Sequence, residues 1–225
     1  DPETGIVSKG YREEGYLPDA FLNMVALLGW SPANDKEVLT LEEMVTEFDL
    51  NKVHKAGARF NKEKAEWFNS EYLRAKTDEE VLELLKNVQG LNLSNSSDAQ
   101  LLQVISLMKE RAVFAKDIYN EGKFFFEAPT QYDEKAVKKS WNEAAVEVMN
   151  EFALKLEDSV FESAALKQDI HDFAEANSVG MGKVMMPLRL ALVGELKGPD
   201  VPDIMQILGK EETIARIRNA VNNIQ

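Results

Sequence analysis

Side chains that carry out acid–base or nucleophilic chemistry are few and scattered in this sequence. The chain has no cysteine, which excludes thiol nucleophiles, thiolate metal sites and disulfides. Its two histidines are His54 and His171, and neither lies at the Glu-x-x-His spacing used by helical metal sites. The sequence therefore predicts no conventional catalytic residue and no metal site.

Glycine patterns that bind nucleotide phosphates are missing as well. The sequence contains no GxxxxGK[ST] loop, and Gly180-Met181-Gly182 lacks the third glycine of a dinucleotide-binding fingerprint. The many glutamates are typical of solvated helix faces, and their spacing does not single out a catalytic pair. We therefore expect this chain to bind no cofactor by itself.

The overall charge argues against a partner that is rich in phosphates. The chain has 26 Lys and Arg against 39 Asp and Glu, a net charge of −13. Proteins that bind nucleic acid usually present a basic face, because phosphate neutralisation supplies much of their affinity. The imbalance is smallest in residues 161–225, with 7 basic against 9 acidic residues, but no segment is basic. Charge alone favours an acidic helical module that binds protein and not RNA.

Composition indicates a folded chain outside the membrane. Apolar residues make up 44% of the sequence and charged residues 29%, which is enough to form a core and an ordinary surface. No window approaches the eighteen consecutive apolar residues that a membrane span needs. The absence of cysteine fits a reducing compartment such as the cytoplasm.

Helix signals dominate the chain, and no convincing alternating strand pattern is present. Pro18 is placed to start a helix that Gly29 would end. Thr40 with Glu43, and Thr77 with Glu80, have the spacing of capping boxes. The polar residues 92–97 predict a turn and a subdomain boundary. The fold class predicted is all-α, with roughly ten helices.

The second half of the chain is predicted to contain longer helices. Apolar residues spaced by three and four predict one helix across 98–119, and Asp133 is placed to cap another that runs to about Leu156. Between them, Phe124-Phe125-Phe126 and Pro129 predict an extended connector packed on the core. Further helices are expected over 161–177 and 181–194, and two short ones follow the Gly198-Pro199-Asp200 turn and are divided by Gly209.

Three stretches of the sequence resemble bacterial-type glutamyl-tRNA synthetases, a class I family. The first, GYREEGYLPDAFLN at 10–23 with ALLGW at 26–30, resembles the helix after the family's KMSKS loop. The second resembles the family's next block and comprises FDL at 48–50, Val53, GARF at 57–60 and WFNSEY at 67–72. The third resembles its anticodon-binding terminus and comprises GKVMMPLRLAL at 182–192, Gly198-Pro199 and LGKE at 208–211. Their order and gaps match the family along nearly the whole chain.

The resemblance implies a function that composition does not. Family members activate glutamate with ATP and Mg²⁺ and esterify it to tRNA in a catalytic domain with HIGH and KMSKS signatures. Neither signature occurs here, and Ser8-Lys9-Gly10 is no substitute. The resemblance therefore implies the tRNA-binding region of a cytoplasmic enzyme, which would be inactive without its catalytic domain. Its expected partner is the tRNA for glutamate, and no membrane contact is expected. ATP, Mg²⁺ and glutamate would be bound by the catalytic domain of the parent, which is expected to be monomeric.

The same resemblance implies an elongated array of helical subdomains. Residues 1–75 would form a stem-contact region, and residues 76–160 and 161–225 would form two anticodon-binding subdomains. The helix signals above are independent of this resemblance and agree with it.

Arg189 is the residue most expected to contact the anticodon. The family's matching Pro-Leu-Arg motif contacts the anticodon, and a guanidinium presents a planar fork of donors to a base edge or stacks on its face. The alternative is a surface arginine paired with Glu195 or Asp200.

Five further residues are weaker candidates for tRNA binding. The turn containing Gly198, Pro199 and Val201 matches a family loop whose backbone and apolar side chains contact anticodon bases, with an ordinary interhelical turn as the alternative. Lys183, at a helix start, is placed to meet a phosphate or to be simply solvated. Arg111 is placed near the boundary between the anticodon subdomains and could reach a base.

The aromatic residues have two interpretations. Phe124, Phe125, Phe126 and Tyr132 could stack on bases, but adjacent phenylalanines are more often buried packing, which we prefer. Trp30, Trp67 and Trp141 are predicted to belong to the core.

Overall fold

The structure, a computed structural model, describes residues 10–33, 35–54 and 59–224. The Ser8-Lys9 pair and the Gly57-Ala58 pair of the second resembling stretch lie outside the described residues. Within the described ranges the chain is all-α, as predicted, and the β pairing there is limited to an isolated antiparallel bridge between Trp30 and Val53.

The described residues form thirteen α-helices, more than the roughly ten predicted. In chain order they are α1 Tyr11–Glu14, α2 Pro18–Gly29, α3 Leu41–Glu47, α4 Lys62–Ala75, α5 Asp78–Lys86, α6 Asp98–Met108, α7 Ala115–Glu121, α8 Glu134–Ser140, α9 Glu143–Lys155, α10 Ser163–Ala176, α11 Met181–Val193, α12 Val201–Leu208 and α13 Lys210–Asn223. Four 3₁₀ turns accompany them, at Leu50–Lys52, Lys109–Arg111, Lys123–Phe125 and Leu156–Asp158.

The chain divides into two compact units. The first comprises Asp1–Leu91 and Met108–Tyr119, and the second comprises Asn92–Leu107 and Asn120–Gln225. The predicted division into segments 1–75, 76–160 and 161–225 is a finer one, and it stays a prediction.

Both predicted capping boxes are confirmed in the first unit. Thr40 Oγ1 accepts a hydrogen bond from the Glu43 N–H at 3.2 Å, and Glu43 Oε2 accepts from the Thr40 N–H at 2.8 Å. Thr77 and Glu80 make the same pair of bonds at the start of α5, at 3.2 and 2.8 Å. Each box satisfies backbone donors that a helix start leaves without an intrahelical acceptor, so these starts are determined locally.

Buried asparagines join separate segments of the first unit. Asn23 Oδ1 accepts from the Leu39 N–H and from the Tyr72 hydroxyl, both at 2.8 Å. Asn69 Oδ1 accepts from the Leu17 N–H at 2.7 Å, and its Nδ2 donates to the Val113 carbonyl at 2.6 Å. These bonds connect α2 and α4 to the loops packed on them, because a buried amide must find its partners within the protein.

A small apolar cluster completes this part of the first unit. Trp30, Leu39 and Met44 are buried together, and Ala26 and Leu27 pack against them. Burial of Trp30 confirms its predicted place in the core. Trp67 was predicted to be buried and is not, since it is 40% exposed. Trp141 is half-buried.

The predicted single helix across 98–119 is wrong. Ala112 adopts an extended conformation with φ −85° and ψ 140°, which ends the helical path after α6 and its 3₁₀ turn. The Asp117 carboxylate then accepts the N–H groups of Val113 and Phe114, at 3.2 and 2.8 Å, and α7 begins there. Apolar periodicity continues across the break because both helices are buried on one face, so periodicity alone did not reveal it.

Two further sequence predictions also need correction. Asp133 does cap α8, accepting from the Ala136 N–H at 2.8 Å, but the helix stops at Ser140. Asn142 then caps α9 by accepting from the Ala145 N–H at 2.9 Å. The expected extended connector begins with a 3₁₀ turn at Lys123–Phe125, and the residues 126–133 that follow contain no helix.

The helices after residue 160 follow the prediction closely. Helix α11 contains Pro187 and begins after Gly180, and α12 and α13 are divided by Gly209. At Gly29 the prediction was only partly correct, since that glycine is the last residue of α2 and the cap is Trp30. None of the helices in the described ranges combines the length and the hydropathy of a membrane span.

The capping box of α5 predicts a specific dependence of stability on pH. The hydrogen bond from the Thr77 backbone, with the nearby Lys76 charge, lowers the pKa of Glu80 below its ordinary 4.5. A carboxyl group with a lowered pKa in the folded state stabilises the fold above its unfolded pKa and loses that contribution as the pH falls through the folded value. We expect the stability difference between the wild type and Glu80→Gln, measured by urea unfolding, to shrink between about pH 6 and about pH 3.

Glu79→Gln is the matched control, because it removes the same formal charge on the same turn without entering the capping box. A difference between wild type and Glu80→Gln that stays constant over this range would contradict the prediction.

Candidate nucleic-acid interface

The carboxyl end of α11 is fixed by a glycine. Gly194 has a φ of 88°, in the left-handed region, and its N–H donates to the Leu190 carbonyl at 2.8 Å. A Cβ there would lie 2.9 Å from the Gln131 carbonyl oxygen and 3.1 Å from Pro129 Cβ. The Gly194 carbonyl also accepts from the Asp133 N–H at 2.8 Å. The segment before α8 therefore packs directly against the end of the helix that carries Arg189.

The structure brings Arg189 and the predicted proline turn together. Gly198 has a φ of 132°, and a Cβ built on it would lie 3.3 Å from Arg189 Nη1 and 3.9 Å from Phe124 Cζ. Arg189 is half-buried. Its guanidinium is thus held beside the backbone of the turn, where a side chain on residue 198 would crowd it.

The apolar side chains of the turn face inward. Val201 is fully buried, and Pro199 is also buried. Neither side chain is exposed in this structure, and their predicted contact with anticodon bases stays a prediction. The accessible parts of this turn are its backbone and the exposed Asp200 carboxylate, which makes no capping hydrogen bond.

The remaining two predicted residues are exposed and differ in setting. Lys183 lies in the first turn of α11, where its N–H already donates to the Gly180 carbonyl at 2.8 Å. That N–H is consequently not available for a phosphate, although the ammonium group is. Arg111 ends the 3₁₀ turn at Lys109–Arg111 and belongs to the first unit, whereas the other candidates belong to the second.

The phenylalanines of the 3₁₀ turn are packing residues, as preferred from the sequence. Phe124 and Phe125 are buried, with ring centroids 4.4 Å apart. Tyr132 is half-buried, and its hydroxyl accepts a hydrogen bond from Asn219 Nδ2 at 3.4 Å. Burial raises the pKa of Tyr132 above its ordinary value. Neither buried phenylalanine ring is a free platform for a base.

Sequence reasoning missed the buried Arg216. Its Nη1 donates to the carbonyls of Phe124 and Leu192 at 2.6 and 2.9 Å, and its Nε donates to Glu212 at 2.7 Å. The residue is only 4% exposed. Its spacing of four residues from Glu212 is typical of a surface ion pair, so nothing in the sequence indicated this central position.

A cluster of lysines on α8 was missed as well. Lys135, Lys138 and Lys139 are all exposed, and their spacing of three and four places them on neighbouring positions of one helix surface. Helix α8 packs against α11. No ion pair within the described ranges involves these three lysines, so their charges are not neutralised by a carboxylate. The three lysines lie within five residues of the sequence, but the negative net charge of the whole chain drew attention away from them.

A metal site is not supported by the described residues. His171, Asp172 and Glu175 are close enough together to share an ion, but all three are exposed. Asp172 lies 3.7 Å from Nδ1 of the imidazole, whereas Glu175 lies 3.8 Å from Nε2. The two carboxylates therefore face different ring nitrogens, which a single ion does not bind together.

Two family models match the chain. Residues 65–221 match the family described as anticodon binding domain, and residues 3–67 match the class I (E and Q) tRNA synthetase catalytic domain. Since the first match covers more than half of the chain, this protein belongs to the anticodon-binding domain family.

The individual relatives are glutamate–tRNA ligases. The chain is 45% identical to the glutamate–tRNA ligase of Porphyromonas gingivalis over 222 residues, covering 98% of this chain and 44% of that protein. A crystal structure of a glutamate tRNA ligase from Elizabethkingia meningosepticum in complex with its amino acid is 57% identical, with a TM-score of 0.94, over 100% of this chain and 45% of that one. The glutamate-tRNA synthetase of Elizabethkingia anophelis is 58% identical, with a TM-score of 0.89, over 99% and 44%. The chain thus spans less than half the length of these relatives.

The packing at Gly198 predicts opposite effects for two glycine substitutions. Gly198→Ala places a Cβ at a φ of 132° and 3.3 Å from Arg189 Nη1, so we expect it to destabilise the protein by about 1–3 kcal/mol. Gly182→Ala lies within α11, where the nearest heavy atom to the new Cβ is 3.9 Å away, and is expected to stabilise by about 0.5–1 kcal/mol. Urea unfolding of both variants measures the contrast. Equal effects of the two substitutions would mean that Gly198 is not constrained as described.

Proposed function

We propose that this chain is the anticodon-binding and stem-contacting part of a glutamate–tRNA ligase. The whole protein would attach glutamate to its tRNA using ATP, with Mg²⁺, ATP and glutamate bound by the part of the protein beyond this chain. It would act in the cytoplasm as a monomer. The observation that carries the proposal is the placement of Arg189 beside the Gly198 turn in a member of the anticodon-binding domain family.

Arg189 is suited to contact an unpaired base. Anticodon bases are unpaired and can be splayed outward, which exposes both their edges and their faces. A guanidinium held against a turn loses little additional conformational freedom when it binds, because its side chain is already ordered by packing. The carbonyl and N–H groups of the turn lie next to it and add hydrogen-bonding capacity for the same base.

The lysines of α8 are suited to the phosphates that flank those bases. Each lysine contributes a mobile positive charge that needs no exact geometry, and phosphate contacts position an RNA without reading its sequence. With Lys183 on α11, they supply local positive charge in a chain that is acidic overall. A net charge of −13 is compatible with RNA binding if such a local field exists, although binding is then expected to depend strongly on salt.

An acidic protein-interaction module remains the competing function from charge alone. The family match and the cluster of unneutralised lysines both favour RNA over it. The two functions differ in what they predict for substitutions of Arg189 and of the α8 lysines, since a protein-binding module has no reason to bind an anticodon stem-loop.

Arg189→Ala is expected to weaken binding of a glutamate-tRNA anticodon stem-loop by about 1–3 kcal/mol, which is roughly 5- to 150-fold in Kd. The affinity falls because the base no longer meets a planar donor group. Arg189→Lys keeps the charge but not the fork, so we expect it to lose most of the same affinity. Fluorescence anisotropy at two salt concentrations measures both.

Arg218→Ala is the matched control for this experiment. It removes one positive charge from the same unit, at an exposed residue that pairs with Glu157 at 2.7 Å. We expect it to change Kd by less than about threefold. If Arg189→Ala binds the stem-loop as tightly as the wild type does, Arg189 is not part of the interface.

Replacing Lys135, Lys138 and Lys139 together by glutamine is expected to act mainly through salt dependence. The slope of log K against log salt is negative, and its magnitude falls by about 0.7–0.9 for each phosphate that a lysine no longer neutralises. The triple variant should therefore reduce the magnitude of the slope by about 2–3. Arg189→Ala should change that slope by at most about 1. Titrations of the stem-loop at four or more salt concentrations separate the two variants.

A second triple variant provides the control for charge. Lys123, Lys155 and Lys210 belong to the same unit but contact Glu127, Asp169 and the Glu157 carbonyl, respectively. Their replacement by glutamine changes net charge by the same amount. A slope that shifts equally in both triple variants would indicate that only total charge matters and that α8 has no special role.

A further inference from the structure

Helix α3 exposes apolar side chains next to the side that it packs on the core. Leu41 and Val45 are four residues apart and lie on one side of the helix, and Phe48, the residue that caps its end, follows three positions later. Their exposed fractions are 54, 72 and 50%. Met44, on a neighbouring side, is buried with Trp30 and Leu39. The helix is thus apolar toward its own unit and also toward the outside.

Two more exposed apolar side chains follow the helix in the sequence. Leu50 is 78% exposed, and Val53 is 42% exposed. The Phe48 ring lies 5.8 Å from the Trp30 ring, and Trp30 in turn pairs with Val53 through the isolated bridge. We refer to these five exposed side chains, Leu41, Val45, Phe48, Leu50 and Val53, as the 41–53 face.

Such a face is unusual on a protein that has no partner there. Single exposed apolar side chains are common, but five large ones within thirteen residues are a group of the kind that usually marks a contact with another protein surface. Glu42 lies on the same helix, where its charge opposes the approach of RNA phosphates, whereas Glu43 is paired with Lys36 at 2.5 Å. The chemistry of the face therefore fits a protein partner and not the tRNA.

We propose that the 41–53 face packs against the remaining part of the catalytic domain in the same polypeptide, a proposal that rests on the function proposed above. Residues 3–67, which include the whole face, match a class I catalytic domain, while the chain spans only 44–45% of its relatives. A domain has one shared core, so a stretch taken from it exposes the surface that faces the rest. The occupant is accordingly the part of the catalytic domain outside residues 3–67.

The test compares the same substitutions in two contexts. Val45→Lys and Leu50→Lys are introduced together into this chain and into a chimera in which this chain replaces the corresponding part of the Elizabethkingia anophelis glutamate-tRNA synthetase, which is 58% identical over that part. In the chain alone the two positions are exposed, and we expect a Tm change of less than about 2 °C. In the chimera the lysines would be buried at the interface, and we expect the Tm to fall by at least about 5 °C.

Leu154→Lys and Val160→Lys form the matched control. Their side chains are 62 and 61% exposed and belong to the second unit, far along the chain from the match to the catalytic domain. They should leave the Tm nearly unchanged in both contexts. If the lysine chimera does not fold, Val45→Ala with Leu50→Ala gives the same comparison with a smaller expected decrease, of about 2–4 °C.

Two results would overturn the proposal. One is a Tm decrease of the same size in the isolated chain and in the chimera, or in neither. The other is an isolated chain that sediments as a dimer and becomes monomeric in the lysine variant while the chimera is unaffected, because the occupant would then be a second copy. Stem-loop binding by the isolated chain is measured separately, so a failure here is distinguishable from a failure of the proposed function.

Discussion

The guanidinium group of Arg216 joins three segments that lie around the candidate interface. Three backbone and side-chain acceptors, on the 3₁₀ turn of Phe124, the end of α11 and the first turns of α13, converge on this one buried cation. A buried charge is tolerated only when its donors are satisfied, so these segments must keep their relative positions. Phe124 in turn borders Gly198, which lies against Arg189. The residue proposed to contact RNA is thus positioned by one that is sealed from solvent.

The sequence correctly predicted those features of the fold that depend on residues close together in the chain. The two capping boxes at Thr40 and Thr77, and the glycines around α11, depend on residues only a few positions apart, and each was predicted correctly. The break between α6 and α7 was not predictable in this way. It depends on the extended backbone of Ala112 and on Asp117 reaching back to two N–H groups, while the apolar pattern runs on without interruption.

The candidate site was predictable in part for a similar reason. The resemblance supplied Arg189 and the Gly198-Pro199 turn, and the fold places them side by side. It did not supply the inward direction of Val201, which depends on how α12 packs, nor the interior position of Arg216. The sequence analysis overlooked the lysines of α8 because it considered the net charge of −13, and a net charge does not show where positive side chains lie on the surface.

The path of the chain through the two units has a consequence for how the protein is made. Residues 92–107 of the second unit come before the last stretch of the first unit, Met108–Tyr119, which supplies the Val113 carbonyl that Asn69 binds. During synthesis from the amino terminus, the first unit therefore lacks residues 108–119 until residues 92–107 of the second unit have left the ribosome. Each unit is made of two separate stretches of the chain, so a single cleavage of the backbone cannot separate the two units.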